Sequence, residues 1–204
     1  MSGRRIFIVD DDESVLDSLG NYFSMKGYAV STYNSAIDFL DGYDYDADIQ
    51  LGCLVSDINM DNMDGIELQT ALNAHGFLLP TIFITGHADT NIAIKAMKLG
   101  AYDFIEKPFS PPELLKAVEG AIADKKGAIE INKRYLLLSA REKEVLSLII
   151  QGDKNKNIAE KLFISLVTVE AHRAKVMKKM QASSFAELVT MSTLINREGG
   201  SHGK

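Results

Sequence analysis

Cys53-Leu54-Val55-Ser56-Asp57-Ile58-Asn59-Met60 is an apolar run that meets a carboxylate and then resumes. Three other stretches follow the same plan. Ile6-Phe7-Ile8-Val9 runs into Asp10-Asp11, Ile82-Phe83-Ile84 into Thr85, and Phe104-Ile105 into Lys107-Pro108. Short continuous apolar runs are what parallel strands covered on both faces look like. Ligands of open parallel sheets bind beyond the carboxyl ends of the strands. The order therefore predicts that three carboxylates, a hydroxyl and an amine converge on one sheet edge. Such a set suits a divalent cation and a phosphoryl group. Mg²⁺ takes oxygen ligands and keeps waters and phosphate oxygens in its shell. A carboxylate can be the nucleophile toward phosphorus, and a lysine with the metal neutralises the charge on the transferring group.

Each residue also has a plainer reading on its own. An aspartate after a strand forms turns and caps helices, and Asp10-Asp11-Asp12-Glu13 would suit the positive end of a helix dipole. Asp12 and Glu13 are assigned to that role. Thr85-Gly86 is compatible with an ordinary strand exit, and Lys107 with a solvated lysine. It is the coincidence of these residues at four successive strand ends that favours a site.

The pattern over roughly residues 4–122 resembles the receiver domain of two-component response regulators. The resemblance implies that Asp57 is the phosphoacceptor and that Asp10, Asp11, Asp57 and the carbonyl of Asn59 hold Mg²⁺ or Mn²⁺, with Asp11 the more direct acid-pair ligand. It implies that Thr85 binds phosphoryl oxygens, that Lys107 pairs with the phosphorylated Asp57, and that Phe104 is the switch aromatic. Lys107-Pro108 falls where the family has a cis peptide. Departures stand out as well. Asp61 replaces a usual proline, Phe104 a usual tyrosine, and His87 occupies a position that tunes phosphate lifetime in the family.

The chain has 204 residues, room for two small domains, and its 46% hydrophobic content is that of a globular protein. No run approaches the roughly 18 apolar residues of a membrane span. Met1-Ser2-Gly3-Arg4-Arg5 leads into a strand without the pattern of a signal peptide. Cys53 stands alone, so no internal disulfide forms, and a cytoplasmic location is expected. The net charge of −6 conceals a split: residues 1–122 carry 7 Lys+Arg against 19 Asp+Glu, residues 123–204 carry 15 against 9. An acidic half gathers cations, and a basic half can meet a polyanion.

Residues 1–122 alternate strand and helix signals. Ala29–Tyr33 and Asp103–Ile105 are weaker strands near the edges. Amphipathic stretches intervene: Val15, Leu19, Tyr22 and Phe23, then Ile66, Leu68, Ala71 and Leu72. Ser110-Pro111-Pro112-Glu113 opens a helix as a capping box with proline at its first position. Five βα units imply an α/β domain built on a five-stranded, doubly wound parallel sheet of the flavodoxin-like kind. Residues 123–138, with Asp124-Lys125-Lys126-Gly127, are assigned to a linker. Residues 139–198 read as helices only, and 199–204 as a disordered tail.

In that all-α part, Ser139 to Glu142 is a second capping box, Gly152 ends the first helix, and Asn157–Phe163 is a short helix. A turn at Ile164-Ser165 precedes a longer helix, Leu166 to Met180, and a last helix follows from Ser184 to Asn196. Short helix, turn and longer helix form a helix-turn-helix. Steps of about 100° per residue put Val169, Val176 and Met180 inward and Val167, Ala171, Ala174 and Lys178 outward, with Glu170 and Lys175 beside them. Glu170 suits a cytosine amine, Ala171 and Ala174 suit thymine methyls, and Thr168 and Lys175 suit phosphates. Arg173 is expected to pack its stem and reach a phosphate with its tip, and His172 to be packed.

Arg141-Glu142-Lys143-Glu144-Val145-Leu146, Asn155-Lys156-Asn157-Ile158-Ala159 and Thr168-Val169-Glu170-Ala171-His172-Arg173 look like the LuxR-type DNA-binding domain. Together the halves resemble a two-component regulator of the NarL/FixJ subfamily. That resemblance implies a sensor histidine kinase as phosphoryl donor, promoter half-sites in double-stranded DNA as target, a homodimer when phosphorylated, and RNA polymerase as a further partner. Phe185 to Ile195 is a dimer contact in the family and ordinary core otherwise. The rival enzyme class, aspartyl-phosphate phosphatases of the haloacid dehalogenase type, places a second aspartate two residues after the nucleophile; Asn59 stands there. No enzymatic turnover beyond self-catalysed phosphoryl acceptance and slow autodephosphorylation is expected. An unphosphorylated pseudo-receiver would not need the acid pair, Thr85 and Lys107, and a pure interaction module would not need the basic half.

Overall fold

The protein is described here by a computed structural model covering residues 4–43, 52–75, 79–86 and 90–199, the side chains of 196–199 excepted. The chain divides into two compact units, Met1–Lys125 and Lys126–Lys204.

The first unit alternates β1 (Arg5–Val9), α1 (Glu13–Met25), β2 (Ala29–Tyr33), α2 (Ala36–Gly42), β3 (Gly52–Asp57), α3 (Gly65–Ala74), β4 (Thr81–Thr85), α4 (Thr90–Lys98), β5 (Asp103–Glu106) and the start of α5 (Pro111–Leu136). The strands form one parallel sheet in the order β2-β1-β3-β4-β5. This is the expected doubly wound α/β arrangement. Burial explains which strands the sequence announces. β3 and β4 are buried at every residue, so their middles are continuously apolar. β2 and β5 are edge strands with partly exposed residues, and their hydrophobic signal is weaker.

Alternate side chains of the strands feed the two faces. Ile6, Ile8, Cys53, Val55, Ile82 and Ile84 pack against Leu19 and Phe23 of α1 and Leu114 and Val118 of α5. Phe7, Val9 and Leu54 pack against Phe39 of α2 and Leu68 and Leu72 of α3. Ile66 of α3, Phe83, and Ala96 of α4 extend that second layer. Phe23, Phe39 and Phe83 are wholly buried, and burying each contributes on the order of 3 kcal/mol. Asp12 caps α1, its carboxylate accepting from Ser14 N–H at 2.8 Å, in the helix-start role assigned to it.

Most of the segment assigned to a linker, 123–138, is helical. α5 continues through Asp124-Lys125-Lys126-Gly127 to Leu136. Alanine, lysine and glutamate are strong helix formers, and a single glycine costs only about 1 kcal/mol. Ile131 and Tyr135, late in that helix, pack onto the core of the second unit. Gly120 leaves room for the Tyr102 ring, whose hydroxyl donates to Asp124 at 2.9 Å.

The second unit contains the end of α5, then α6 (Ala140–Ile150), α7 (Asn155–Leu162), α8 (Leu166–Met180) and α9 (Phe185–Gly199). The short helix begins at Asn155 rather than Asn157, with Lys154 at its cap. Gly199 ends α9 rather than opening the tail; the remaining tail, 200–204, lies outside the described residues, as does His87.

Candidate functional site

The carboxyl ends of β1, β3, β4 and β5 meet as the pattern of apolar runs predicts. Asp10 follows β1 and is wholly buried, Asp57 ends β3 with 4% exposure, and Thr85 ends β4, also buried. Pairing of Thr85 with Glu106 brings the end of β5 alongside, and the Lys107 N–H donates to the Thr85 carbonyl at 2.7 Å. The Lys107 ammonium then reaches both acids: 2.7 Å to Asp57 Oδ1 and 2.9 Å to Asp10 Oδ2. Lys107-Pro108 is cis, as expected. Asp57 Oδ2 accepts the Asn59 backbone N–H at 2.6 Å, and the Asn59 side-chain amide stands 3.5 Å from Thr85 Oγ1.

Burial pushes the Asp57 carboxyl above its ordinary pKa, and the Lys107 ammonium and Asn59 N–H offset only part of that shift. Burial acts on Lys107 in the opposite sense, lowering it, but hydrogen bonds and charge from Asp57 and Asp10 prevail and leave the ammonium more firmly protonated. The result is a desolvated carboxylate held beside a fixed cation, suited to meeting a phosphoryl group whose charge Lys107 shares.

The loop that carries Asn59 is fixed by a close approach. The Gly65 N–H donates to the Ile58 carbonyl at 2.9 Å, and a Cβ on Gly65 would lie 2.5 Å from the Asp57 carbonyl oxygen. Only glycine fits there. Asp61 is exposed in this loop, and Asn62 takes a left-handed φ of 65°. Phe104 is half-buried, packed on the cluster of Ile58, Ile66, Phe83, Ala96 and Ala101.

Two acids, Asp10 and Asp57, share the Lys107 ammonium. Asp10 turns inward onto Lys107 and also accepts the Asp12 N–H at 3.0 Å, while the neighbouring Asp11 is exposed in the bend that follows β1. Among the described residues, no group of three or more His, Cys, Asp or Glu side chains is placed to hold a metal ion. The donor set still fits Mg²⁺, which is usually bound through one or two carboxylates, with waters and phosphate completing its shell. It does not fit an all-protein cage.

The second unit is built around α8. Val169, Val176 and Met180 are wholly buried against Val145, Leu146 and Ile149 of α6, Ile158 of α7 and Leu188 of α9, as the 100° stepping predicts. The turn forms as α7 ends on Phe163 in the left-handed region, φ 54°, and the Ile164 N–H donates to the Ala159 carbonyl at 3.0 Å. The Arg141 guanidinium donates to the Leu162 carbonyl and pairs with Glu144 at 2.6 Å. Ser165 caps α8 through Thr168 N–H at 3.1 Å. Val167, Glu170, Ala171, Ala174, Lys175 and Lys178 are exposed, whereas Thr168, His172 and Arg173 are half-buried. Thr168 is drawn into the cap, its hydroxyl 2.8 Å from that of Ser165. In α9, Leu188 and Met191 belong to the core and Phe185 is exposed.

The description "Response regulator receiver domain" matches residues 6–119, and "Bacterial regulatory proteins, luxR family" matches residues 136–192. The chain is 43% identical over 199 residues to the transcriptional regulatory protein FixJ of Rhizobium meliloti (strain 1021), covering 94% of this chain and 96% of that protein.

The chain is a response regulator of the NarL/FixJ subfamily.

This response regulator is also 41% identical over 196 residues to the C4-dicarboxylate transport transcriptional regulatory protein DctR of Rhodobacter capsulatus, covering 92% and 98% of the two chains. Among solved structures it is similar to full-length FixJ from B. japonicum, with TM-score 0.55, 38% identity and coverage of 96% and 98%. It is likewise similar to the response regulator StyR, with TM-score 0.57, 39% identity and coverage of 94% and 98%. It is thus a transcriptional response regulator with a receiver domain and a LuxR-type DNA-binding domain.

Sequence reasoning did not find a part-buried polar link between α6 and α8 in the second unit. Glu142 Oε2 accepts from Ser139 N–H at 2.8 Å and from the Lys179 ammonium at 2.7 Å. The capping box was legible; its link to α8 was not, because no local spacing relates residues 37 positions apart. Nor was the Asn59 amide's approach to Thr85 foreseen. An amide two residues past the acceptor, on a loop pinned by glycine, was the available signal.

Proposed function

We propose that this response regulator takes a phosphoryl group on Asp57 from a sensor histidine kinase and regulates transcription by phosphorylation-promoted dimerisation on DNA. The observation that carries the proposal is the Lys107 ammonium bound at once to Asp57 and Asp10, at the sheet edge where Thr85 also ends. An Asp57 carboxylate oxygen attacks phosphorus, the phosphorus–nitrogen bond to the kinase histidine breaks, and an acyl phosphate forms. Lys107 supplies fixed positive charge opposite the phosphoryl oxygens, and Thr85 supplies a hydroxyl donor. Asp10, Asp11, Asp57 and the Asn59 carbonyl would hold Mg²⁺ or Mn²⁺. When bound, the ion neutralises phosphoryl charge.

The doubly charged product recruits Thr85 and Lys107, and Phe104 repacks with them. This shifts a pre-existing equilibrium of the surface formed by α4, β5 and α5. Ile94 and Met97 of α4 are about half exposed, which supports that surface as the dimer contact. A dimer presents two α8 helices to half-sites about one helical turn apart. Val167, Glu170, Ala171 and Ala174 face bases, and Thr168, Arg173, Lys175 and Lys178 face phosphates. RNA polymerase is the expected downstream partner. No helix among the described residues is long and apolar enough to cross a membrane, and a lone buried Cys53 suits a reducing cytoplasm. The protein is not an enzyme toward outside substrates: Asn59, an amide, stands where a phosphatase needs an acid.

The test is phosphate incorporation from a kinase or a small phosphodonor. Asp57→Ala is expected to abolish it; uptake retained on another residue refutes the assignment.

A further inference from the structure

The exposed ridge of α8 has a composition that restricts what it can read. At about 100° per residue, Val167, Ala171, Ala174 and Lys178 lie on one line directly away from the buried Val169, Val176 and Met180. The first three are apolar. Val167 is 73% exposed although it carries a branched aliphatic side chain. The polar groups of this first turn are already engaged with each other, since Ser165 Oγ accepts from Thr168 N–H and the two hydroxyls stand 2.8 Å apart.

Recognition of guanine uses Arg or Lys, and recognition of adenine uses Asn or Gln. None of these residues occurs between Leu166 and His172. The next one, Arg173, is half-buried, and Lys175 and Lys178 come later, Lys178 about 16 Å along the axis from Val167. The N-terminal turns are those that reach base edges in a helix-turn-helix. Among base edges in the major groove, the thymine C5-methyl is the apolar feature; the others are hydrogen-bond donors and acceptors. Glu170, exposed beside the ridge, can only accept, which suits a cytosine or adenine amine.

We propose that Val167, with Ala171, is the specificity-determining contact of this regulator and reads thymine C5-methyl groups in each half-site. The inference rests on the DNA-binding reading above. Apolar side chains left in water here gain by covering a methyl group, and they reject a half-site that offers only polar edges at those positions. Non-specific affinity is left to Lys175 and Lys178, whose ammonium groups meet phosphates.

The test starts from duplexes selected from random DNA by the full chain, with Mg²⁺ and beryllofluoride present throughout. Each thymine is then replaced in turn by deoxyuridine, which removes the methyl and keeps the pairing. The change is made in the DNA, so it does not depend on the folding of a variant. At the positions facing the ridge, deoxyuridine is expected to weaken binding about fourfold per methyl. Val167→Ala, which alters an exposed side chain, is expected to lose that discrimination. If wild-type protein binds thymine and deoxyuridine duplexes equally at every position, the methyl reading is overturned while DNA binding stands. Absence of any salt-dependent binding overturns both.

Discussion

Glu142 joins the start of α6 to α8, and replacing it with glutamine isolates the contribution of its charge. The side chain keeps its shape and can still accept from the Ser139 N–H. What is lost is the charge on the acceptor of the 2.7 Å bond from Lys179. Charge-assisted bonds contribute about 1.5–3 kcal/mol and neutral ones about 0.5–1.5, a difference of about 1–1.5 kcal/mol. The Lys179 side chain is 38% exposed, so solvent screening reduces this to about 1 kcal/mol. For a unit of this size that corresponds to a drop in urea midpoint of about 1 M. The assay is urea unfolding of the full chain, followed through resonances of Val145, Val169 and Val176, which report on the second unit alone. The pH dependence has a definite sign. Hydrogen bonds from Lys179 and the Ser139 backbone lower the Glu142 pKa from 4.5 to about 2 in the folded protein. Its stabilising contribution is therefore fully present above pH 4.5 and is lost as pH falls toward 2. Wild type and Glu142→Gln should differ at neutral pH and converge across that window. Equal midpoints at neutral pH, or a difference unchanged at the acid end, would refute the argument.

Three further outcomes follow from the same geometry. Gly65→Ala forces a Cβ to 2.5 Å from the Asp57 carbonyl oxygen; receiver stability should fall by about 1–3 kcal/mol in thermal unfolding, with phosphoryl uptake slowed as well. Phe163→Gly removes a bulky side chain that is 94% exposed from a left-handed backbone. Relief of about 1–2 kcal/mol, less the entropic cost of glycine, predicts a gain of up to about 1 kcal/mol in the second unit by the same urea assay. Lys107→Ala leaves Asp10 and Asp57 buried without their shared cation; phosphoryl uptake should fall at least about tenfold in a phosphodonor time course, the loss of one charge-assisted contact.

The core strands β1, β3 and β4 were legible because burial on both faces makes their middles continuously apolar. The same logic made edge strands β2 and β5 faint. α8 was sorted correctly into inner and outer faces because its core residues keep helical spacing. The helical form of residues 123–136 was not legible, because charge and a glycine mask the helix that Ile131 and Tyr135 support by packing on the second unit's core. In the candidate site, the order Asp57, Thr85, Lys107 was readable from strand ends. The opposite exposure of Asp10 and Asp11 was not, since it depends on the bend that follows β1. The tie from Glu142 to Lys179 depends on tertiary packing alone.

The account rests on Asp57 controlling DNA binding, and affinity for a selected duplex measures that directly. Titrations would compare the full chain with and without beryllofluoride and Mg²⁺, beside Asp57→Ala under both conditions. The account predicts tighter binding with the phosphate mimic, to a site with two half-sites, in wild type only. Equal affinity of wild type in both conditions, or the same tightening in Asp57→Ala, would contradict it.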